Sequence, residues 1–239
     1  MTTPKSLQCD AKEIERSLRL LIAPYAIFEI RLLKCRRGES ARPCTAAGYF
    51  DDIKTAVEAV VECDRRYPPE GSYVTLNSVD PQLLSRSANR IIQYLEPLTT
   101  DEEIVRRALI LIDCDSVRRR GISATDAELA FALETAKSVQ DFLQSEGWSH
   151  PLLAFSGNGY HLLYRTDLPN DDQSRRLMER LLKRLDARFS DSRVKIDTTV
   201  SNAARITKLY GTVARKGADT PDRPHRLSRI MEVPNSWRS

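Results

Sequence analysis

Hydrophobic positions along the chain follow two periodicities that alternate with each other. Apolar residues spaced three or four apart predict helices over residues 14–23, 50–66, 79–95, 126–147 and 171–189. Short runs rich in aliphatic and aromatic residues predict strands over residues 26–33, 71–77, 107–115, 151–156, 160–165, 194–200 and 226–233. Helices and strands that alternate in this way are typical of an α/β or α+β protein.

Turn and cap signals divide these elements into two modules. Residues 96–103 are polar and turn-prone, so we expect an N-terminal α/β module over residues 1–100 and a second module over residues 101–239. Helix caps are predicted at Asp51, at Asp80 followed by Pro81, and at Thr125 with Glu128 three positions later. The sequence GNG joins two predicted strands and predicts a tight hairpin.

Composition limits the classes of protein that fit the sequence. Of the 239 residues, 41% are hydrophobic and 29% are charged, as in ordinary soluble globular proteins. No apolar run approaches the roughly 20 residues that a membrane helix needs, and the polar first residues do not resemble a secretory signal. We therefore expect a cytoplasmic protein without a membrane partner.

Positive charge is concentrated in a few segments. The net charge is only +4, so a nucleic-acid surface would have to come from clusters of Lys and Arg. Such clusters occur just after residue 117, along the helix predicted from residue 171, and over residues 205–217. The basic residues of that helix are Arg175, Arg176, Arg180, Lys183, Arg184 and Arg188. They predict either a solvated helix face or a contact with a nucleic-acid backbone.

The five cysteines predict neither a disulfide framework nor a metal site. They are odd in number, and no two of them have the CxxC spacing of a zinc site. We expect reduced packing residues and no bound zinc. His150 and His225 have no partner ligands at a suitable spacing, so we expect structural or surface roles for them.

Two acids end an apolar run that is predicted to be a strand. Asp113 and Asp115 are two residues apart, so they project from the same face of a strand, and two unpaired carboxylates so close repel each other. A divalent cation between them would remove that cost. The arginines that follow at once, and that suit a polyanionic ligand, are Arg118, Arg119 and Arg120. The alternative is a pair of acids at a solvated strand end.

The segment FSGNGYH, residues 155–161, combines small and polar residues. Gly157 and Gly159 allow a ligand to approach the backbone closely, and Ser156 supplies a hydroxyl. His161 lies at the start of a predicted strand, where its ring could contact a phosphate oxygen. The alternative is a tight hairpin with an exposed histidine beside it.

A third acid and a basic stretch lie between residues 194 and 217. Asp197 is in a predicted strand that could bring its carboxylate to the first two, and three carboxylates suit two divalent ions better than one. Basic residues then interleave with Tyr210, a mixture that suits phosphates and stacked bases. These basic residues are Arg205, Lys208, Arg215 and Lys216. The alternative is a solvated basic loop.

Taken in order, these three segments resemble the catalytic motifs of the archaeo-eukaryotic primase superfamily, which contains primases and primase-polymerases. Its motifs are a paired acid on a strand, a Ser-to-His segment and a lone acid on a strand, matched here by DCD, by SGNGYH and by Asp197. The matched region spans residues 109–217 and is most similar to the primase-polymerase domains of bacterial, plasmid and phage replication proteins. The ordered set is more specific than any one motif.

The resemblance implies an N-terminal α/β module packed on a catalytic half similar to an RNA-recognition motif, with the active site in the cleft between them. It implies template-directed nucleotidyl transfer from nucleoside triphosphates on single-stranded DNA, with two Mg²⁺ or Mn²⁺ ions held by Asp113, Asp115 and Asp197. The implied nucleotide-binding residues are Ser156, Gly157, Asn158, His161, Arg205 and Lys208. The implied nucleic-acid-binding residues are Arg118, Arg119, Arg120, Arg215 and Lys216.

Two features that many members of the superfamily carry are missing from these 239 residues. There is no zinc-binding cysteine set, and no helicase follows the matched block. A helicase, in the same polypeptide or in the replisome, is the protein partner that the resemblance implies. Two alternatives to a primase remain: a catalytically silent module that binds single-stranded or origin DNA, and a metal-dependent nuclease.

Overall fold

The computed structural model describes residues 7–35 and 42–237. In this part of the chain the α-helices are α1 (Ala11–Leu21), α2 (Ile53–Arg66), α3 (Asp126–Ser145) and α4 (Asp172–Phe189). The strands are β1 (Phe28–Cys35), β2 (Cys44–Phe50), β3 (Gly71–Thr75), β4 (Ile92–Gln93), β5 (Arg106–Ser116), β6 (Leu152–Phe155), β7 (Gly159–Pro169), β8 (Val194–Ile196), β9 (Ile206–Lys208), β10 (Val213–Ala214), β11 (Arg226–Leu227) and β12 (Arg229–Glu232). Short 3₁₀-helices cover Pro81–Arg86, Asp101–Glu103, Thr198–Ser201 and Asn235–Trp237.

The longer strands form two antiparallel sheets. The first sheet has the strand order β4-β2-β1-β3-β9, and the second sheet has the order β12-β6-β7-β5-β8. Strands β10 and β11 pair with each other. Antiparallel sheets combined with helices confirm the predicted α+β class.

The second sheet has the topology of an RNA-recognition motif. Its elements follow one another as β5-α3-β6-β7-α4-β8, and its core strands are ordered β6-β7-β5-β8. This is the β-α-β-β-α-β arrangement of ferredoxin-like folds, in which the first strand pairs with the third and the fourth. The expected RNA-recognition-motif-like half is therefore present.

Cap signals and apolar stripes explain the two helices of this half. Thr125 and Glu128 form the predicted capping box at the start of α3, and Asp171 caps α4 through the N–H of Ser174. Apolar residues at helical spacing are buried, and they are Leu129, Ala132, Ala136, Val139 and Leu143 in α3 and Met178, Leu182 and Leu185 in α4. These stripes join the main hydrophobic core with the buried aliphatic residues of β5 and β7.

The first sheet contains a strand from the far end of the chain. Strand β9, residues 206–208, pairs with β3 in the register Tyr73 to Lys208, Val74 to Thr207 and Thr75 to Ile206. The largest cluster of buried apolar side chains also includes residues from both sides of the predicted boundary at 96–103. A strand from beyond the predicted boundary therefore completes the first sheet, and the main hydrophobic core includes residues from both sides of that boundary.

The sequence pattern over residues 79–95 predicts a helix, and the structure differs. Only Pro81–Arg86 is helical, as a 3₁₀-helix capped by Asp80 as expected, and β4 follows it. Asn89 and Tyr94 have φ values of +53° and +60°, in the left-handed region that a helix cannot contain. Turns around a short 3₁₀-helix and a short strand therefore replace the predicted helix in this segment.

Two further features of the first sheet differ from the expectation. The pattern does not predict strand β2, because the small residues of this strand give no clear alternation of apolar and polar positions. At one of these residues, Gly48, a Cβ would lie 2.1 Å from the Arg90 carbonyl oxygen, so a side chain has no room there. The cap of α2 is Asp52, which accepts from the N–H of Thr55 at 2.7 Å. Asp51, the predicted cap, instead accepts from the Asn89 side chain.

The state of the cysteines and the length of the helices complete the description of the fold. All five cysteines lie among the described residues and are free, and Cys35, Cys44 and Cys114 are buried. Among the described residues, no helix is long and apolar enough to cross a membrane.

Candidate active site

The three sequence motifs meet in one row across the second sheet. Asp113 on β5 has His161 on β7 as its register partner. On the other side of β5, Asp197 follows β8 and donates its backbone N–H to the Asp113 carbonyl at 3.0 Å. Residues directly opposite each other in antiparallel strands share a face of the sheet. The structure therefore brings the first acid, the histidine and the third acid side by side.

Asp115 lies two residues further along β5, and a glycine makes room for it. Its register partner on β7 is Gly159. A Cβ on Gly159 would lie 2.6 Å from Asp115 Oδ1 and 2.6 Å from the carbonyl oxygen of Cys114. Both the strand ladder and the carboxylate therefore require glycine at this position.

We expect Gly159→Ala to displace the Asp115 carboxylate and to weaken the pairing of β5 with β7, because the added methyl group would meet a backbone oxygen. The free energy of unfolding is expected to fall by about 1–3 kcal/mol, and the affinity for Mn²⁺ by about tenfold or more. Urea unfolding and a Mn²⁺ titration measure the two effects. An alanine variant with wild-type stability and wild-type Mn²⁺ affinity would contradict this packing.

The two carboxylates of β5 are in different electrostatic environments. Burial raises the pKa of the Asp113 carboxyl, but the nearby His161 and Lys216 outweigh burial and help to hold that pKa below its usual value. For Asp115, burial and the charge of Asp113 raise the pKa, and Arg118 offsets only part of the rise. The negative charge of Asp115 is therefore unfavourable in the protein alone, and a bound cation would remove that cost.

His161 is buried and held at both ring nitrogens. Its Nε2 lies 3.4 Å from Asp113 Oδ1, and its Nδ1 lies 2.7 Å from the Tyr210 hydroxyl and 3.4 Å from Thr207 Oγ1. The histidine side chain is only 6% exposed, so it is not the exposed histidine of the alternative interpretation. Burial raises the pKa of Tyr210, which keeps its hydroxyl protonated and able to donate to Nδ1. His161 Nε2 faces the Asp113 carboxylate.

The predicted hairpin between β6 and β7 is present and is held by its own polar groups. Ser156 Oγ donates to the Gly159 carbonyl at 3.1 Å and accepts from the Gly159 N–H at 3.1 Å. Asn158 is buried, and its side-chain oxygen accepts from the Ala124 N–H at 2.8 Å. Gly157 has a φ of +100°, a conformation that favours glycine. Ser156 and Asn158 also line the cleft described next.

Asp113 and Asp115 line a cleft between the two sheets, with a volume of about 260 Å³, whereas Asp197 is not among its lining residues. Its polar lining residues come from both sheets and from the segments beside them, and they include Glu70, Tyr73, Asp113, Asp115, His161, Arg205, Lys208 and Lys216. The cleft thus lies where the resemblance places the active site. Acids and cations face each other across it.

Lys208 is a buried cation in the wall of the cleft. Its Nζ donates to the Val213 carbonyl at 3.1 Å and lies 5.6 Å from the centre of the Tyr73 ring. Burial lowers the pKa of Lys208 to about 7. A negative ligand in the cleft would favour the charged form of this lysine.

Two of the arginines predicted to bind nucleic acid lie in internal ion pairs. Arg118 Nη1 is 3.1 Å from Asp115 Oδ1, and the arginine side chain is only 6% exposed. Arg215 Nη1 is 2.7 Å from Oδ1 of the buried Asp64. Arg118 therefore supports the acid pair, and Arg215 ties the end of β10 to α2.

The other predicted cations are open to a ligand. Arg119 and Arg120 are exposed in the turn after β5. Arg205 and Lys216 line the cleft, and Arg205 Nη2 lies 3.2 Å from Asp197 Oδ2. The cleft therefore contains cations from both β9 and the segment after β10.

The donor set fits a hard divalent cation. Asp113 and Asp115 offer carboxylate oxygens on one face, and such oxygens are the ligands that Mg²⁺ and Mn²⁺ prefer. The Asp197 carboxylate accepts from the Thr199 N–H at 2.8 Å and pairs with Arg205. Within residues 7–35 and 42–237, no three His, Cys, Asp or Glu side chains converge on one point. The site thus offers the two carboxylates of Asp113 and Asp115 on one face, whereas the Asp197 carboxylate is paired with Arg205.

Some contacts of the site had no signal in the sequence. The pattern predicts that Tyr210 suits stacked bases, but its ring is fully buried and its hydroxyl contacts His161. Glu70 lines the cleft beside Tyr73. Both contacts depend on β9 lying against β3, and local periodicity does not reveal the pairing of segments so far apart in the chain.

The chain is similar to a solved structure and to no protein-family model. No curated protein matches the sequence either. The chain is similar to a structure described as the crystal structure of primase RepB', with a TM-score of 0.48 and 13% sequence identity. The similarity covers 93% of this chain and 56% of that one, so the chain spans little more than half the length of that protein.

Proposed function

We propose that this protein is a metal-dependent, template-directed nucleotidyltransferase of the primase or primase-polymerase type. The observation that carries the proposal is that Asp113, Asp115 and His161 line one cleft together with Lys208 and Lys216. Asp197 lies beside Asp113 on the same sheet. Such a site can bind a divalent cation and a polyphosphate together. The order of the three motifs in the sequence supports the same assignment.

The acids would hold the metal. Asp113 and Asp115 are the first ligands, and Asp197 becomes a third ligand when Arg205 turns to a phosphate instead. Bound Mg²⁺ or Mn²⁺ would supply activation of a 3′-hydroxyl and stabilisation of the leaving pyrophosphate. Arg118 keeps the Asp115 carboxylate oriented towards the cleft through its ion pair.

The cations and the histidine would bind the triphosphate of the incoming nucleotide. Lys208, Lys216 and Arg205 lie on the side of the cleft formed by β9 and the segment after β10. His161, held by Tyr210, is oriented beside them, and Ser156 and Asn158 form the adjoining wall. Hydrogen bonds between ionised groups are stronger than neutral ones, which suits a ligand with several negative charges.

The reaction joins a 3′-oxygen to the α-phosphorus of the nucleotide. The bond from that phosphorus to the bridging oxygen breaks, pyrophosphate leaves with the electron pair, and the hydroxyl proton passes to solvent. The template is single-stranded DNA, and a helicase in the same polypeptide or replisome is the expected protein partner. The exposed Arg119 and Arg120 are the cations proposed to contact the nucleic acid.

The test is incorporation of labelled nucleotide on single-stranded DNA, with and without an annealed primer, in Mg²⁺ and in Mn²⁺. Products without a primer would establish a primase, and extension of a primer alone would establish a polymerase. DNA binding without any product would overturn the proposal in favour of a silent binding module. Degradation of DNA without added nucleotides would favour a nuclease.

A further inference from the structure

Strand β8 carries an exposed lysine beside the acid pair, and the roles proposed above do not use it. Lys195 is the register partner of Asp115, whereas its neighbours Val194 and Ile196 are buried in the core. Residues directly opposite in antiparallel strands share a face, with Cβ atoms about 5 Å apart. Lys195 therefore projects from the face of the sheet that carries the acids.

The ammonium group of Lys195 is available to a ligand. The residue is exposed, and it makes no ion pair or hydrogen bond through its side chain with any residue of the described ranges. Arg118 is the residue that pairs with the Asp115 carboxylate, and the Lys195 side chain does not take part in that ion pair. A cation left free beside two carboxylates suits an additional anion.

Lys195 lies outside the cleft that Lys208 and Lys216 line. The lining residues come from the first sheet, from β5, from the hairpin and β7, and from the segments around β9 and β10, and within the described residues none belongs to β8. Strand β8 therefore lies beside the cleft and forms no part of its described wall. Arg119 and Arg120 are exposed on the turn that leaves β5 beside the start of β8.

The geometry of phosphoryl transfer gives these two sides different roles. The attacking and leaving oxygens lie roughly in line through the phosphorus. With the triphosphate held by Lys208 and Lys216, the pyrophosphate leaves on the side of β9. Thr207 of β9 contacts His161 on β7, and β8 flanks β5 on the other side, so the attacking 3′-hydroxyl would approach from the side of β8.

We propose that Lys195 binds the last phosphodiester of the priming strand and thereby positions its 3′-hydroxyl, and that this strand enters over β8. The inference rests on the proposed function and adds the direction from which each phosphate-bearing substrate arrives. Lys195 is a positioning residue, because it holds the strand and does not touch the reacting atoms. Arg119 and Arg120 continue the basic surface along the same path.

The test is steady-state primer extension by the full chain and by its Lys195→Met variant, with the concentrations of primed DNA and of nucleotide varied separately. We expect the KM for primed DNA to rise about tenfold, with kcat and the KM for nucleotide close to wild type. The salt dependence of DNA binding is expected to become less steep by about one unit of the log–log slope, as for the loss of one phosphate contact. Lys195→Arg is expected to restore most of the affinity for DNA.

Lys137→Met is the matched control. Lys137 is exposed on α3, away from the cleft, so its loss removes the same charge without touching the proposed path. An unchanged KM for primed DNA in Lys195→Met, or an effect equal to that of Lys137→Met, would overturn the inference while the wild-type activity upheld the proposed function. A rise in the KM for nucleotide alone would place Lys195 with the triphosphate and overturn it as well. A wild-type protein that incorporates nothing would overturn both.

Discussion

Asp113→Asn and Asp115→Asn are each expected to reduce nucleotide incorporation by about three orders of magnitude, equivalent to about 4 kcal/mol of transition-state stabilisation. The reason is that a neutral amide oxygen binds Mg²⁺ or Mn²⁺ much more weakly than a charged carboxylate does. The measurement is single-turnover extension of a primed template in the presence of each metal. Asp141→Asn, at an exposed position of α3, is the matched control and is expected to retain full activity.

The two variants are expected to differ in stability, and this difference separates a lost ligand from a lost fold. Burial and the charge of Asp113 raise the pKa of Asp115, so the ionised form of Asp115 costs stability at neutral pH and its removal relieves that cost. Asp115→Asn is therefore expected to melt at or above the wild-type temperature while it loses activity. The pKa of Asp113 is lowered, with His161 as the largest favourable contributor, so Asp113→Asn is expected to melt slightly lower. An Asp115→Asn protein with near wild-type incorporation would refute the assignment of the metal site.

Lys208→Met is expected to make the protein more stable and less able to bind nucleotide. Methionine fills a similar volume without a buried charge, and relief of that burial is expected to raise the Tm by roughly 5 °C. Loss of a charged partner for the triphosphate is expected to raise the KM for nucleotide about 10-fold to 100-fold, since such hydrogen bonds contribute about 1.5–3 kcal/mol. Differential scanning calorimetry and nucleotide titrations measure the two effects. Lys137→Met serves again as the exposed control.

The pH dependence of the same variant gives an independent test. Burial lowers the pKa of Lys208 from 10.5 to about 7, so between these values the unfolded chain binds a proton that the folded protein lacks. The contribution of Lys208 to the free energy of unfolding therefore rises as the pH increases from about 7 to 10.5. The stabilising effect of Lys208→Met is expected to be largest below about pH 7 and to disappear as the pH approaches 10.5. A stabilisation that does not vary with pH would show that the lysine is not buried as a charge.

Nucleotide binding is expected to follow the opposite trend. A triphosphate favours charged Lys208, so above about pH 7 binding must draw a proton from solution. The affinity of the wild type is therefore expected to fall as the pH rises, and the affinity of Lys208→Met is expected to fall less. Equal slopes for the two proteins would remove Lys208 from the triphosphate site.

The sequence predicts the second half of the fold well because its signals are local. The capping box of Thr125 and Glu128, the GNG hairpin and the apolar stripes of α3 and α4 each depend on residues that are close in the chain. The juxtaposition of Asp113 with His161 follows from the hairpin and the strand order once the ferredoxin-like topology is recognised. The proximity of the motif residues was therefore within reach of sequence reasoning.

The remainder depends on contacts between distant segments. The turns over residues 79–95 are held by Asn89 bonding to Asp51 and by the position of Tyr94 beside β2, and such contacts leave no periodic trace. A run of basic residues also does not reveal which of them face a ligand. Arg118 and Arg215 pair with carboxylates inside the protein, whereas within residues 7–35 and 42–237 no carboxylate pairs with their neighbours Arg119 and Lys216.

Strand β9 is the last strand of the first sheet to be synthesised, and it pairs with β3. During synthesis, β3 leaves the ribosome more than a hundred residues before its partner β9, so the first sheet has an unpaired edge for most of that time. Such an edge is prone to pair with other chains. Lys208 of β9 reaches the ring of Tyr73 on β3 only after β9 has paired with β3. The candidate cleft therefore has no wall from β9 until almost the whole chain has been synthesised.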